Sequence, residues 1–247
     1  MLRGAGLTFL LLIQFLFVDF SVAQVKGNNP SEELIVSKAA SVYFKSLAEQ
    51  SGIYRGTEYT GYPFRVRSGH QYFESADISY GSVFYDGILY EGVPMRYDIV
   101  KNEVVVLYPD NVSGIRLHNQ KIKYFNIYNH HFIQIGKEDL MSDAIPAGFY
   151  DRVYAGEIDL LVNRSKGTLK EATSAGNFIT ILKQKNIFFL RKQKNYFLVE
   201  SIGSVLKVLG INQKEILDEF KKNKIKFRKD PEKAIVHMLK FKDQLSR

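Results

Sequence analysis

This sequence predicts an α+β chain that is mainly β: an antiparallel meander forming a curved sheet or open barrel, followed by a C-terminal helical segment. Three observations predict it. Short runs of aromatic and β-branched residues recur between Gly52 and Glu200, separated by Gly, Asn, Asp and Pro turns. Those turns are far shorter than the dozen or more residues a parallel crossover needs, so neighbouring strands must pair antiparallel. After Ser201 the alternation gives way to helical spacing and frequent Lys.

Residues 1–23 read as a secretory signal. Arg3 precedes the apolar run Leu7 to Val18, and the small-residue triplet Ser21-Val22-Ala23 offers a cleavage site. The apolar core is about a dozen residues, short of the roughly 20 that span a bilayer. No later segment reaches spanning length, so no transmembrane segment is expected once the signal is cleaved. Residues 24–51 form an N-terminal segment in which Ser31 to Ala48 suits a helix, while Val42-Tyr43-Phe44 suits a strand. Residues 52–200 are expected to form the β domain, and residues 201–247 a basic helical tail packing on the sheet.

Within the β domain the clearest signal is Val93, Met95, Tyr97 and Ile99 alternating with Pro94, Arg96 and Asp98, the pattern of a half-buried strand. After the turn at Lys101-Asn102, the continuous apolar run Glu103 to Tyr108 suggests a central strand, stopped by Pro109-Asp110. Further strands are expected at Gly81–Asp86, Gly114–His118, Lys121–Tyr128, His131–Gly136, Gly148–Tyr154, Glu157–Asn163, Asn177–Lys183, Asn186–Arg191 and Tyr196–Glu200. The triplets Asn111-Val112-Ser113 and Asn163-Arg164-Ser165 match the glycosylation pattern and are read as turns.

In the tail, Asn212-Gln213-Lys214-Glu215 is a capping-box-like helix start, with Ile216, Leu217 and Phe220 as its apolar edge. Asp230-Pro231 offers a second start, Asp as cap and Pro at the first helical position. Ala234, Met238, Phe241 and Leu245 then follow helical spacing.

Composition excludes several functions. There is no Cys, so disulfides, thiolate metal sites, Cys nucleophiles and a lipid attached through an N-terminal Cys are out. The chain is therefore not expected to be a lipoprotein. An exported chain without Cys fits a bacterial periplasm or exterior better than a eukaryotic secretory route.

Several constellations invite chemistry. His130-His131 is conspicuous, but adjacent residues on a strand face opposite ways, so a joint metal site would need a turn and a third ligand such as His118. His70 and His237 read as packed or exposed histidines. No G-x-S-x-G elbow occurs, and Ser82 and Ser113 merely adjoin Gly. The acids Asp86, Glu91, Asp98 and Glu103 could supply a carboxylate pair only by facing one another across a cleft. No phosphate-cradling glycine motif occurs. No catalytic residue, metal or cofactor is assigned.

The charge map is more informative. From Lys183 to Arg247 the local balance is +10 and the rest of the chain carries −2, so the formal +8 comes from the final quarter. The densest run holds Lys221, Lys222, Lys224, Lys226, Arg228 and Lys229, with Ile225 and Phe227 interleaved. Such a surface attracts phosphates or other polyanions. Export argues against nucleic acid. The same alternation would also suit a final edge strand whose Lys residues discourage edge-to-edge pairing.

The stretches Tyr54-Arg55-Gly56-Thr57-Glu58-Tyr59, Gly69-His70-Gln71-Tyr72-Phe73, Gly81 to Gly87 and Tyr90 to Asp98, with the hairpin Asn186 to Glu200 and the basic tail, resemble a group of exported proteins of Gram-negative bacteria. That resemblance implies export and brings no assigned activity. In strand count and helix placement alone, the architecture is also similar to periplasmic lipoprotein carriers. The expected function is a non-catalytic binding or structural module, contacting an envelope protein, lipid or polyanion through the basic run. The alternatives are a carrier of a lipid or other apolar ligand, and a metal- or acid-dependent hydrolase.

Overall fold

The computed structural model describes residues 52–62, 66–110, 112–136, 145–172 and 178–245. The expected signal, the segment 24–51 and Asn111 lie outside them. Strands β1 (Thr57–Glu58), β2 (Val66–Ser68), β3 (Ser79–Tyr85), β4 (Ile88–Asp98), β5 (Glu103–Leu107), β6 (Gly114–Arg116), β7 (Ile122–Ile127), β8 (His130–Ile135), β9 (Gly148–Tyr154), β10 (Ile158–Ala172), β11 (Phe178–Lys192) and β12 (Asn195–Val199) form one sheet. Its order is β1-β6-β5-β4-β3-β7-β8-β9-β10-β11-β12, and every pair on this path is antiparallel; β2 lies off it, parallel to β11.

Short turns set this meander. Asp86 and Gly87, at φ 51° and 81°, turn β3 into β4, and Tyr128 and Asn129, at 51° and 63°, turn β7 into β8. Two consecutive left-handed residues match the twist of the flanking strands. At Gly81 the β3 backbone approaches β7 so closely that a Cβ there would lie 2.2 Å from the Asn126 carbonyl oxygen.

The sheet curls without closing. Tyr97 on β4 and Phe149 on β9 are four strand steps apart, about 19 Å on a flat sheet. Their rings meet with centroids 6.0 Å apart, and Tyr97 also reaches Phe132 on β8 at 5.0 Å. The edges β1 and β12 stay unjoined. Val93, Met95, Tyr97 and Ile99 all enter the main core with Val104, Val106 and Phe125. The alternation read from sequence thus marks the concave face.

Two elements differ from the sequence reading. The expected strands Asn177–Lys183, whose first residue lies outside the described residues, and Asn186–Arg191 fall within one 15-residue strand, β11, and its partner β10 has 15 residues as well. Lys183-Gln184-Lys185-Asn186 has turn-like polarity, yet it contains neither Gly nor Pro, and the ladder runs through Lys166↔Gln184 without a shift. The polar run is exposed strand. Asn163-Arg164-Ser165, expected as a turn, lies inside β10 for the same reason.

Three helices follow: α1 (Ile202–Leu209), α2 (Gln213–Lys222) and α3 (Pro231–Leu245). Ser201 caps α1, Asn212 caps α2, and Asp230 Oδ1 accepts from the Lys233 N–H at 3.0 Å ahead of Pro231 on α3. Val205, Leu209, Ile216, Phe220, Ala234 and Met238 pack on Leu160, Val162, Leu190 and Val199, a second core. A side chain of this kind contributes about 1.5–3 kcal/mol when fully buried. The cores adjoin on one sheet face, since Phe132, Asp151 and Val162 are aligned across β8, β9 and β10. A third cluster, with Ile135, Tyr150, Leu161 and Phe189, occupies the opposite face. Among the described residues no helix is long and apolar enough to cross a membrane.

Candidate functional site

The basic run begins in the last turn of α2 and continues through the α2–α3 connection. Lys221 and Lys222 end the helix, where its dipole favours cations. Their ammonium groups lie 3.8 and 3.7 Å from Asp218 and Glu219, and with side chains 82% and 76% exposed these pairs are weak. Lys224 adopts φ 54°, and the Lys229 N–H returns to the Lys226 carbonyl oxygen at 3.0 Å. The run is therefore a chain of turns, which corrects the edge-strand alternative: a left-handed residue followed by a tight turn presents no continuous ladder edge.

The alternation survives without a strand. Lys224, Lys226, Arg228 and Lys229 are exposed, while Ile225 and Phe227 turn inward onto the helical core. Asn223 closes α2, its N–H bonded to the Glu219 carbonyl oxygen at 3.0 Å, and the Ile225 N–H bonds Phe220 at 2.9 Å. Two apolar anchors and a backbone hydrogen-bond chain thus hold six cations outward.

Beneath this loop lies a groove of about 500 Å³ between the loop and the β11–β12 edge. Its apolar lining comes from both faces of the sheet edge, Phe188, Val199 and Phe227 from the helix-covered face and Ile187 and Leu198 from the opposite one. Lys185, Arg228 and Glu200 supply its charged lining. A second hollow of about 410 Å³ shares Asn186, Phe188 and Pro231 with the first and continues past Lys229 and Lys233 at the start of α3. Arg228 was read from sequence. Lys185, Phe188 and Leu198 were not, because only the unbroken β11 and the fold-back of β12 bring them beside the loop.

A separate polar cluster sits where the two cores adjoin. Asp151 Oδ2, on a side chain 1% exposed, accepts from Arg164 Nε and Nη2 at 3.0 and 2.6 Å and lies 2.7 Å from His130 Nδ1. Arg164 Nη1 donates to Glu232 Oε2 at 2.6 Å, joining β10 to α3. The hydrogen bond to Asp151 holds the His130 imidazole above its ordinary pKa, against burial. His131, on the other face, meets Asn126 Oδ1 at 2.7 Å, and burial lowers its pKa. The strand separates the two imidazoles, as its geometry requires.

Other candidates have structural partners. His118 is exposed, and among the described residues no group of His, Asp and Glu could hold a metal ion. Ser82 Oγ accepts from Asn126 and Ser113 Oγ donates to Asp110, so neither is presented to an imidazole. Asp86 pairs with Lys121 and Glu103 with Arg116. Asp98 is fully buried and accepts from the hydroxyls of Tyr59 and Tyr62 and from the N–H groups of Val100 and Lys101. His237 Nε2 is 3.6 Å from Glu219, too far for a hydrogen bond.

Compared with family models, with curated proteins and with solved structures, the chain matches none.

Proposed function

We propose that this chain is an exported, non-catalytic binding module of the bacterial envelope, in the periplasm or outside the cell, that holds a phosphate-bearing anionic surface through Lys221, Lys222, Lys224, Lys226, Arg228 and Lys229. The observation that carries the reading is the anchored loop: Ile225 and Phe227 fix a segment whose cations all remain exposed. A solvated charge run needs no such anchoring. Fixing the loop in advance lowers the ordering cost of contact, so the charges act together. Each cation near an anionic membrane is worth about 1 kcal/mol.

The test is co-sedimentation of the chain from Gln24 to Arg247 with vesicles of phosphatidylcholine alone or mixed with phosphatidylglycerol. The reading predicts binding to the anionic vesicles only. Changing Lys221, Lys222, Lys224 and Lys226 to Gln removes about 4 kcal/mol, roughly a thousandfold in affinity. Equal binding to neutral vesicles, or an unchanged quadruple variant, overturns it.

A further inference from the structure

The sheet ends differently at its two edges. β1 is two residues long, Thr57 and Glu58, both exposed, a short polar edge of the kind that discourages further pairing. β12 has five residues and shows Phe197 and Leu198 to solvent, 39% and 48% exposed. Its register, Phe189↔Leu198 and Leu190↔Phe197, puts Tyr196 and Leu198 on the face of the Phe189 cluster and Phe197 on the helix-covered face. Apolar side chains are thus open on both faces of this edge, and among the described residues no strand pairs with its outer side.

The hairpin geometry decides which backbone groups that outer side offers. The two-residue turn Gln193-Lys194, with Gln193 at φ 57°, joins Lys192 to Asn195, and a turn of this length closes on a hydrogen-bonded pair. Asn195, Phe197 and Val199 therefore bond to β11, while the N–H and C=O of Tyr196 and Leu198 point outward. A second β12 laid antiparallel about a two-fold axis at Phe197 sets Tyr196 against the partner's Leu198, so the outward groups of both residues pair reciprocally. In the same register Phe197 meets the partner's Phe197, and Lys194 meets the partner's Glu200, both charges being exposed. Moving the axis to Tyr196 would set Lys194 against Leu198, and moving it to Leu198 would set it against Ile202, already in α1.

We infer that the chain forms a two-fold dimer by antiparallel pairing of β12 with β12 of a second copy, in the register centred on Phe197. Lys194 and Glu200 make the edge complementary to itself in charge, as a two-fold interface requires. A five-residue strand edge buries less than the roughly 800 Å² per partner of a standard interface, so the dimer dissociates on dilution. None of the six loop cations enters the pairing, so dimer formation does not require anionic binding.

The test is sedimentation velocity of the chain from Gln24 to Arg247 over a concentration series, with a reversible monomer–dimer equilibrium expected. Leu198→Lys, at an exposed position, should weaken the dimer about tenfold or more, since the two-fold makes each substitution count twice. Lys194→Glu and Glu200→Lys each set like charges against one another and should weaken it several-fold. Combining the two swaps restores opposite charges across the axis and should restore the affinity.

The chain has no Cys, so Phe197→Cys introduces its only thiol. Across the axis the Cβ atoms of this non-hydrogen-bonded pair lie about 4.5–5.5 Å apart, close enough to link with a small backbone shift, whereas Asn195 and its symmetry mate are more than about 13 Å apart. Oxidation with copper–phenanthroline should link Phe197→Cys into a dimer and leave Asn195→Cys monomeric. A monomer throughout the concentration series overturns the inference, as does equal linking of the two cysteine variants. A double charge swap no tighter than either single swap overturns the register.

Discussion

Asp151 and Arg164 form a buried, doubly hydrogen-bonded pair: Oδ2 of Asp151 accepts from Nε and Nη2 of Arg164 at 3.0 and 2.6 Å, with the side chains 1% and 6% exposed. The pair stands between the two cores, and Glu232 extends it to α3. It ties the helical layer to the curled sheet by a polar link within apolar surroundings. Arg164→Ala would strand the Asp151 carboxylate, so a loss of about 3–5 kcal/mol is expected in urea unfolding. Glu232→Gln, at a partner 28% exposed, should cost much less.

His130 makes that link sensitive to pH. Its folded pKa lies above the ordinary 6.5, chiefly through the hydrogen bond to Asp151, with Arg164 opposing and Glu74 assisting. The stabilisation is therefore fully present below about pH 6.5 and is lost as pH rises through the folded value. His70 and His131 are shifted down by burial and act in the opposite sense as pH falls. The difference between wild type and His130→Gln isolates the pair: it should shrink between pH 6 and 9 when stability is measured by urea unfolding. A difference independent of pH would contradict this assignment.

Asp98 fastens residues 52–62 to the sheet. Tyr59 donates to it at 2.7 Å and Tyr62 at 3.0 Å, while Lys101 lies over both rings and reaches the Thr60 carbonyl oxygen. Hydrogen bonds to a buried charge are worth about 1.5–3 kcal/mol each. Tyr59→Phe should lower stability by about 2 kcal/mol and expose this segment to limited proteolysis, with cleavage read by mass spectrometry.

Ile225 supports the loop without lining the groove. Ile225→Ala keeps every charge yet removes an anchor, so affinity for anionic vesicles should fall a few-fold at constant net charge. Amide hydrogen exchange should quicken across residues 223–229. An unchanged affinity would show that the cations act independently of loop order.

Much of the fold was legible because its signals are local. Val93, Met95, Tyr97 and Ile99 reveal a buried face by period alone, and Asn212 and Asp230-Pro231 announce helices through the backbone donors they satisfy. The unbroken β11 was not legible: Lys183 to Asn186 has turn composition, and only pairing with β10 makes it strand. The cation run was legible as charge, and its outward display follows from the interleaved Ile225 and Phe227. The Asp151–Arg164–Glu232 link was not, since Arg164 meets Asp151 and Glu232 across 13 and 68 positions of sequence, and the groove was not, since it depends on how the loop packs beside β11 and β12. Arg164 gave one faint signal, the first charged residue on a face of β10 that begins Ile158, Leu160 and Val162.

The most direct test of the central claim is the dependence of vesicle affinity on salt. For the chain from Gln24 to Arg247 on phosphatidylglycerol-containing vesicles, affinity should fall steeply as ionic strength rises and the Debye length shortens from about 30 Å at 0.01 M to about 8 Å at 0.15 M. In the variant with Lys221, Lys222, Lys224 and Lys226 changed to Gln, the slope should flatten markedly. Equal slopes for the two proteins would contradict a binding role for the loop.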